Sequence, residues 1–349
     1  MDRAIELLQR LIATPSVSRE EGAAADVVEA ELSALGFVTH RKLNNVWAEA
    51  HPHNPSLPTI LLDAHIDTVK PNASWVRNPY EPTIEGGRMY GLGSNDTGGS
   101  LVAIIAAFCR LAKREQPYNL ILLASAEEEV TGINGVRAVL SELGDVDFAI
   151  VGEPTSLQPA IAEKGLMVLD CVARGKAGHA AREEGVNAIY EALNDIEWFR
   201  THQMGRISPL LGAVKMSVTG IGAGTQHNVV PDECRFMVDI RVNECYQNEE
   251  LLAEIRKAVK CEVTPRSTHL NSSAIDAEHP AVKRLIDMGK VPFGSPTMSN
   301  QAVMPFPTLK LGPGDSARSH TADEFIFKAE LAEGMQRFED ILEQLKRFI

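Results

Sequence analysis

Three short apolar runs in the first half of the chain are typical of buried strands in a parallel sheet. They span residues 59–64, 119–124 and 148–151, and branched aliphatic residues dominate them. A shorter strand is predicted at 45–49. Helical patterns occupy 2–13, about 20–35 with Ser18 as a candidate cap, 100–114, and the stretch from Gly132 to about 143. This alternation predicts an α/β fold with a mixed, mostly parallel sheet flanked by helices.

The pattern changes near residue 164. Strands are predicted at 166–173, 213–219, 234–242 and 261–267, with helices over 178–203 and 247–259. The order β-α-β-β-α-β resembles a ferredoxin-like insert. A helix at 280–288, a strand at 308–311 and a final helix over 325–348 follow; Asp323 and Glu324 precede that helix, as its dipole favours. We therefore divide the chain into a main domain of residues 1–163 and 277–349 and an inserted domain of residues 164–276.

Composition narrows the class of protein. Of 349 residues, 44% are hydrophobic and 23% are charged, as in an ordinary globular protein. The net charge of −13 argues against nucleic acid or an anionic membrane as a partner. The start of the chain does not resemble a signal peptide, and no apolar run approaches the length of a membrane span. Five cysteines without a C-x-x-C pair fit reduced thiols, so we expect a cytoplasmic protein.

Polar side chains end each of the three long strands and the glycine-rich turn at 90–100. The carboxyl ends of parallel strands meet at one edge of a sheet, so we expect these side chains to converge. They are His65, Asp67, Asp96, Glu128, Glu129 and Glu153, and His320 lies at a later strand-to-helix junction.

Two of these segments allow a simpler interpretation. The glycine-rich turn could be a phosphate-binding loop, but it lacks the Gly-Lys-Ser/Thr ending of such a loop. The acidic run at 127–129 could be a solvated loop, but a divalent cation would remove the repulsion between its carboxylates. The set as a whole therefore predicts a metal-dependent active site.

These motifs, in this order, resemble the zinc aminoacylase and carboxypeptidase G superfamily. Within it, the chain is most similar to the acetylornithine deacetylase and succinyl-diaminopimelate desuccinylase group. The resemblance spans nearly the whole chain and rests on His-x-Asp (65–67), the Gly-x-Gly…Asp turn (91–96), the acidic run (127–129), Gly-Glu-Pro-Thr (152–155), Gly-x-x-Gly-His (175–179), Asn-Val-Val-Pro (228–231), Leu-Gly-Pro-Gly (311–314) and His-x-x-Asp-Glu (320–324). It implies a zinc-peptidase-like fold whose insert serves as a lid and as the interface of a homodimer.

The resemblance also implies two Zn²⁺ ions in each subunit. By position, His65 and Glu153 match the ligands of one ion, Glu129 and His320 match those of the other, and Asp96 matches the carboxylate that bridges both. Imidazole and carboxylate ligands without cysteine suit zinc, although Co²⁺ or Mn²⁺ could fill such a site.

Further roles follow from the same resemblance. Asp67 matches an acid that orients the first histidine ligand, and Glu128 matches the general base that takes a proton from a metal-activated water. His179 matches a lid histidine that stabilises the oxyanion, in dimeric relatives within the partner's site; the alternative is a partly exposed histidine at a helix start. Asn228 matches a substrate contact, and Arg241 matches a residue that could hold an α-carboxylate, the alternative being a solvated strand arginine. Gly312 and Gly314 match a loop that shapes the acyl pocket.

The implied reaction is hydrolysis of the N-acyl bond of a small amino acid, with N-acetyl-ornithine of arginine biosynthesis as the first choice. A desuccinylase of succinyl-diaminopimelate or succinyl-ornithine type and a di- or tripeptidase remain alternatives, and an extra cation, Lys310 or Arg318, would favour the desuccinylase. A non-catalytic metal- or ligand-binding relative is an alternative from another class. The chain departs from the family pattern at Thr97, where a lysine is common, and at 296–301.

Overall fold

A computed structural model describes residues 1–345 of the chain. They form two compact units. The first comprises residues 1–161, 274–293 and those from Ser299 onward, and the second comprises residues 162–273 and 294–298. None of the helices in the described part of the chain is both long enough and apolar enough to cross a membrane. All five cysteines are free thiols.

The helices and strands are numbered in chain order. The helices are α1 (Asp2–Ile12), α2 (Gly22–Ala34), α3 (Gly99–Leu111), α4 (Val136–Val139), α5 (Ala188–Thr201), α6 (Asn248–Ala258), α7 (Pro280–Asp287) and α8 (Lys328–Leu345). The strands are β1 (Thr39–Lys42), β2 (Asn45–Glu49), β3 (Thr59–His65), β4 (Thr83–Glu85), β5 (Arg88–Tyr90), β6 (Asn119–Ser125), β7 (Phe148–Val151), β8 (Ala160–Glu163), β9 (Gly165–Arg174), β10 (Gly178–His179), β11 (Lys215–Ala223), β12 (Val229–Val230), β13 (Glu233–Val242), β14 (Glu262–Pro265), β15 (Ser273–Ala274), β16 (Phe293–Ser295), β17 (Thr308–Lys310) and β18 (Phe325–Phe327).

The central sheet of the first unit is mostly parallel, as the sequence predicts. Among residues 1–345, seven of its nine strands lie in the order β1-β2-β6-β3-β7-β17-β8. The four middle strands β6, β3, β7 and β17 run parallel, whereas β1, β2 and β8 join antiparallel. His65 is in register with Ser125, and Asp63 is in register with Val151. The ends of the parallel strands therefore share one edge of the sheet.

Both faces of this sheet are covered. On β3, Ile60 and Leu62 pack into a core with residues of α1, α2, α3 and α8, while Leu61 packs into a second core with Val136 and Val139 of α4. All seven residues of β3 are buried. A strand buried on both faces needs a continuous apolar run, which is the pattern that identifies this strand in the sequence.

The second unit contains a four-stranded antiparallel sheet in the order β11-β13-β9-β14. The chain passes through β9, α5, β11, β13, α6 and β14, which is the predicted β-α-β-β-α-β order. One side of this sheet packs with α5 and α6 around Leu169, Phe199, Phe236 and Leu251. Strand β11 lies at an edge of the sheet.

Two helix predictions were wrong in extent. The helix predicted from residue 178 begins only at Ala188, where the side chain of Asn187 accepts the N–H of Ile189. Before it, Gly178 and His179 pair with β12, and Lys176 exchanges backbone hydrogen bonds with Val186. The helix predicted up to residue 143 has only the four residues of α4, followed by a short 3₁₀ turn. In the first of these two cases, backbone pairing overrides local helix propensity.

Two predicted helix-end roles were also wrong. Ser18 does not cap α2; its hydroxyl donates instead to the carboxylate of Asp67. Residues 325–327 form strand β18 rather than the start of the last helix, so α8 begins at Lys328. Asp323 and Glu324 consequently lie before that strand and accept hydrogen bonds from other segments. Residues 346–348 of the predicted helix lie outside the described residues.

Candidate metal centre

His65 ends strand β3 with its imidazole buried at the edge of the sheet. Its Nδ1 lies 2.8 Å from the backbone oxygen of Asp67 and 3.6 Å from the Asp67 carboxylate. The backbone carbonyl, rather than the predicted carboxylate, is therefore the closer partner that orients the ring. The hydrogen bond on Nδ1 leaves Nε2 as the nitrogen that faces the neighbouring acids.

Asp96 lies between two imidazoles. It belongs to the irregular turn Ser94–Gly98 that precedes α3. Its Oδ1 is 3.3 Å from Nε2 of His65, and its Oδ2 is 3.6 Å from Nε2 of His320. A carboxylate that presents one oxygen to each of two histidines has the arrangement that a bridging ligand requires.

Glu128 and Glu129 diverge from a short 3₁₀ turn that follows β6. This turn comprises Glu128–Val130, so the two residues do not lie on an extended segment. Oε2 of Glu128 is 3.9 Å from Nε2 of His65, whereas Oε2 of Glu129 is 2.9 Å from Nε2 of His320. The turn still sends the two neighbouring carboxylates to different histidines.

The carboxylate of Asp67 supports this turn. It accepts the backbone N–H groups of Glu128 and Glu129 at 3.0 and 3.2 Å, and the hydroxyl of Ser18 at 2.6 Å. Burial opposes its ionisation, yet the facing His65, Ser18 and backbone N–H groups lower the pKa of Asp67. Asp67 thus positions the segment that carries two site carboxylates.

Glu153 follows β7 and completes the cluster. Its Oε1 lies 4.0 Å from Nε2 of His65 and is buried without a hydrogen-bond partner among the described residues. The ligand atoms of His65, Asp96 and Glu129 lie within 4.8 Å of one another, as do those of His65, Glu128 and Glu153. All five predicted metal ligands and the predicted base therefore meet in the first unit.

The side chains of the cluster favour the binding of protons or cations, as their raised pKa values indicate. Burial raises the pKa of Glu153 to about 8, and the neighbouring Asp96 adds to this shift. Burial likewise raises the pKa of Glu128 well above its usual range. Glu129 raises the pKa of His320 to about 9, and the acids around His65 raise its pKa despite burial. These groups hold protons that a divalent cation would displace, so the donor set fits a metal such as zinc.

Comparison with known proteins identifies the family of the chain. Residues 61–344 match the model of peptidase family M20/M25/M40. The chain belongs to this family. The match covers most of the chain and includes every residue of the cluster, so the resemblance inferred from the sequence motifs is confirmed. The chain is accordingly a hydrolase of amide bonds.

Several known proteins are similar to the chain in sequence or in structure. A succinyl-diaminopimelate desuccinylase of Verminephrobacter eiseniae is 30% identical over 67% of this chain and 66% of its own length. An acetylornithine deacetylase of Proteus mirabilis is 30% identical over 92% of this chain and 91% of its own length. The crystal structure of aminopeptidase PepT from Bacillus cereus superposes with a TM-score of 0.81 at 20% identity, covering 99% of this chain and 98% of that one. This last likeness shows the fold.

The two glycines predicted for the acyl pocket permit close packing in this M20 chain. A Cβ on Gly312 would lie 2.2 Å from Oγ of Ser100, and one on Gly314 would lie 2.4 Å from Oδ1 of Asn95. Gly314 also has φ of +89°, which favours glycine. Both residues hold the loop before His320 against the segments around Asp96, and their contact with an acyl group stays a prediction.

His179, Asn228 and Arg241, the other three predicted site residues, belong to the second unit. His179 pairs with Val229 in the short β10–β12 ladder, and the backbone oxygen of Asn228 accepts the N–H of Ala180. On β13, Nε and one Nη of Arg241 donate to the carboxylate of Asp239 at 2.9 and 3.2 Å. That pair uses one edge of the guanidinium, and the edge with the second Nη is not part of it.

The residues at the two departures from the family pattern support the site from beneath. Thr97 donates its hydroxyl to the backbone oxygen of Gly152, the residue before Glu153. The amide of Asn300 is buried and donates to Asp63 and Ser125 at 2.9 and 2.8 Å.

Sequence reasoning missed three residues that build the centre. Ser18 and Glu324 were assigned helix-end roles, and Asn95 was not singled out. The side-chain amide of Asn95 forms hydrogen bonds with both the N–H and the carbonyl of Asp315. Glu324 accepts backbone N–H groups at the turn of Asp96. Glu324 belongs to the His-x-x-Asp-Glu motif and Asn95 lies in the glycine-rich turn, but a motif does not specify a hydrogen-bond partner, and Ser18 lies outside the motifs.

Proposed function

We propose that this chain removes the acyl group from a small N-acyl amino acid, with N-acetyl-ornithine as its first candidate substrate and two zinc ions as its cofactors. The observation that carries the proposal is the placement of Asp96 between His65 and His320, with one carboxylate oxygen facing each imidazole. A single metal would not need such a bridge. Membership of a family that hydrolyses amide bonds supplies the reaction class.

The proposed ligands divide between the two ions. His65 and Glu153 would hold one, Glu129 and His320 the other, and Asp96 both. When bound, such a pair of cations polarises the scissile carbonyl and lowers the pKa of water.

Glu128 is the proposed general base. Its carboxyl group lies beside the proposed ligands; burial raises its pKa, and the neighbouring acids Glu153 and Glu129 add to this shift. A carboxyl group with a raised pKa can accept a proton from the attacking water and return it to the departing amine near neutral pH. Asp67 and Ser18 keep Glu128 in place through its backbone N–H.

The second unit supplies the remaining proposed contacts. His179 would stabilise the oxyanion, Asn228 would contact the substrate, and the free edge of Arg241 would bind the α-carboxylate while Asp239 holds the other edge. We also propose a homodimer formed through this unit. Support comes from the edge position of β11 and from exposed apolar side chains such as Tyr190 on α5 and Ile221 on β11. A monomer in sedimentation equilibrium at micromolar concentration would reject the dimer.

A desuccinylase is the second candidate, because the first relatives of this chain carry that name. A succinyl group adds a carboxylate that needs a cation near the acyl pocket. Of the two cations considered for this role, Arg318 forms a two-point ion pair with Glu330, and Lys310 is 2% exposed. Because Arg318 is already paired and Lys310 is buried, neither favours the binding of a second carboxylate, which supports acetyl over succinyl as the acyl group.

The test is a substrate panel with excess Zn²⁺ for the parent protein and for Glu128→Gln. The panel contains acetyl-ornithine, succinyl-ornithine, acetyl-citrulline, succinyl-diaminopimelate and a dipeptide. We expect the fastest amine release from acetyl-ornithine, and a loss of about 10²–10⁴-fold in Glu128→Gln with its zinc content retained. Faster release from a succinyl substrate would select the second candidate. Release from none of them would favour a binding protein, and full activity of Glu128→Gln would reject the base.

A further inference from the structure

Glu324 is a buried carboxylate close to the metal centre whose role neither the sequence motifs nor the proposed ligand set explains. It is 2% exposed and lies four residues after His320. One of its oxygens, Oε1, accepts the backbone N–H of Asn95 at 2.8 Å and that of Asp96 at 2.9 Å. Its own backbone oxygen accepts the N–H of Gly91 at 3.0 Å. Glu324 therefore holds the turn that carries Asp96 at two places.

The same arrangement occurs on the other side of the site. There, the carboxylate of Asp67 accepts the two successive N–H groups of Glu128 and Glu129. In both places a buried acid accepts consecutive backbone donors from a segment that delivers site carboxylates. Two hydrogen bonds from successive N–H groups to one buried carboxyl group fix the direction of the peptide planes that carry them.

We propose that Glu324 is a positioning residue that sets the carboxylate of Asp96 for two cations at once, an inference that rests on the proposed metal function. The orientation of the Asp96 carboxylate is tightly constrained, since its two oxygens lie 3.3 and 3.6 Å from Nε2 of His65 and of His320. Rotation of the turn would improve one of these distances and worsen the other. Glu324 prevents that rotation because it fixes the peptide N–H of Asp96 itself.

Chain connectivity adds a second consequence. Glu324 and His320 belong to one short segment, whereas Asp96 lies on another. The hydrogen bonds of Glu324 therefore join the segment of one proposed ligand to the turn of the bridging ligand. A substitution of Glu324 should weaken the binding of both cations, because both would share Asp96 as a ligand.

Asp323 provides a matched control. It is the preceding residue in the same segment, and its Oδ1 also accepts two consecutive backbone N–H groups, those of Val76 and Arg77. Those two residues are not among the proposed ligands. A variant of Asp323 thus tests whether the loss of any pair of side-chain-to-backbone hydrogen bonds in this segment has the same effect.

The experiment measures Zn²⁺ affinity by competition with a chromophoric chelator for the parent and for Glu324→Ala, Glu324→Gln and Asp323→Ala. The visible absorption spectrum of the Co²⁺-loaded proteins reports the ligand geometry. We expect Glu324→Ala to bind zinc about 10–100-fold more weakly, with an altered Co²⁺ spectrum. Glu324→Gln should recover most of the affinity, because its amide oxygen can still accept both N–H groups. Asp323→Ala should stay within about threefold of the parent.

The outcomes separate this inference from the proposed function. A parent protein that binds no zinc would overturn the metal function itself. A parent that binds zinc together with a Glu324→Ala protein of equal affinity and spectrum would overturn only the role of Glu324. Equal losses in Asp323→Ala and Glu324→Ala would show a general stabilisation of the segment. Should Glu324→Ala fail to fold, Glu324→Asp takes its place, because the shorter side chain keeps the carboxyl group and cannot reach both donors.

Discussion

Metal removal should make the stability of the first unit fall as pH rises from about 5 to 8. Without cations, the pKa of Glu153 is about 8 in the folded state, against a usual value of 4.5. Between these two values the folded state binds more protons than the unfolded state, so the free energy of unfolding decreases with increasing pH. His320, with a pKa raised to about 9 from 6.5, acts in the same direction. Its contribution is present below pH 6.5 and is lost as pH rises towards 9.

The size of the effect follows from the buried carboxyl. Each unit of difference between the folded and unfolded pKa is worth about 1.4 kcal/mol, so Glu153 alone can change the free energy of unfolding by up to about 5 kcal/mol. A bound cation replaces the protons and reverses the dependence, because zinc binds the deprotonated ligands. The stabilisation by zinc should therefore grow over the same pH range.

The assay is urea unfolding at pH 5, 6, 7 and 8, with chelator or with excess Zn²⁺. Hydrogen exchange of a peptide that contains β3 reports unfolding of the first unit specifically. Glu153→Gln should remove much of the pH dependence of the metal-free protein, because an amide does not titrate. Glu339→Gln, which alters a surface carboxylate paired with Arg110, should keep it. Metal-free stability that is constant or increases from pH 5 to 8 would refute the reasoning.

Two further predictions concern the supports of the site. Ser18→Ala removes the 2.6 Å hydrogen bond to the buried carboxylate of Asp67 and should lower the free energy of unfolding by about 1.5–3 kcal/mol in urea. Ser33→Ala, at an exposed 3.4 Å contact, should change it by less than about 0.5 kcal/mol, and equal costs would contradict the first value. Gly314→Ala should lower the free energy of unfolding by several kcal/mol more than Gly36→Ala. Both glycines have φ near +90°, but only at Gly314 would the added Cβ lie 2.4 Å from a side-chain atom, Oδ1 of Asn95. Similar unfolding midpoints for these two variants would show that strain alone, and not the close contact, decides the cost.

Much of the centre was predictable because it is built on strand ends. Strands buried on both faces must be apolar throughout, so the first polar residues after them stand out, as His65 and Glu153 do. Parallel strands then bring their carboxyl ends to one edge of the sheet. Asp96 was identified by its place in a glycine-rich turn before a helix. The ordered motifs that resemble a family added His320, whose position periodicity alone does not fix.

The supports of the site were not predictable for a physical reason. Asp67 accepts the N–H groups of Glu128 and Glu129, which lie more than 60 positions away in the chain. Glu324 accepts N–H groups from residues that lie more than 220 positions away. A side-chain carboxylate can satisfy any donor that the fold brings within reach, and the sequence does not record which one that is. The local rule favoured a helix-dipole role for Glu324, and the tertiary contacts override it.

The sequence by itself determined the class of fold, the edge of the sheet where the chemistry lies, and the residue types that can bind a cation there. These features depend on hydrophobic periodicity and on the chemistry of imidazole and carboxylate groups, which are local properties. The tertiary structure decided which oxygen of Asp96 faces which histidine, and which buried acids hold the segments in place. These features depend on distances between segments that are far apart in the chain, and only the packed backbone sets such distances.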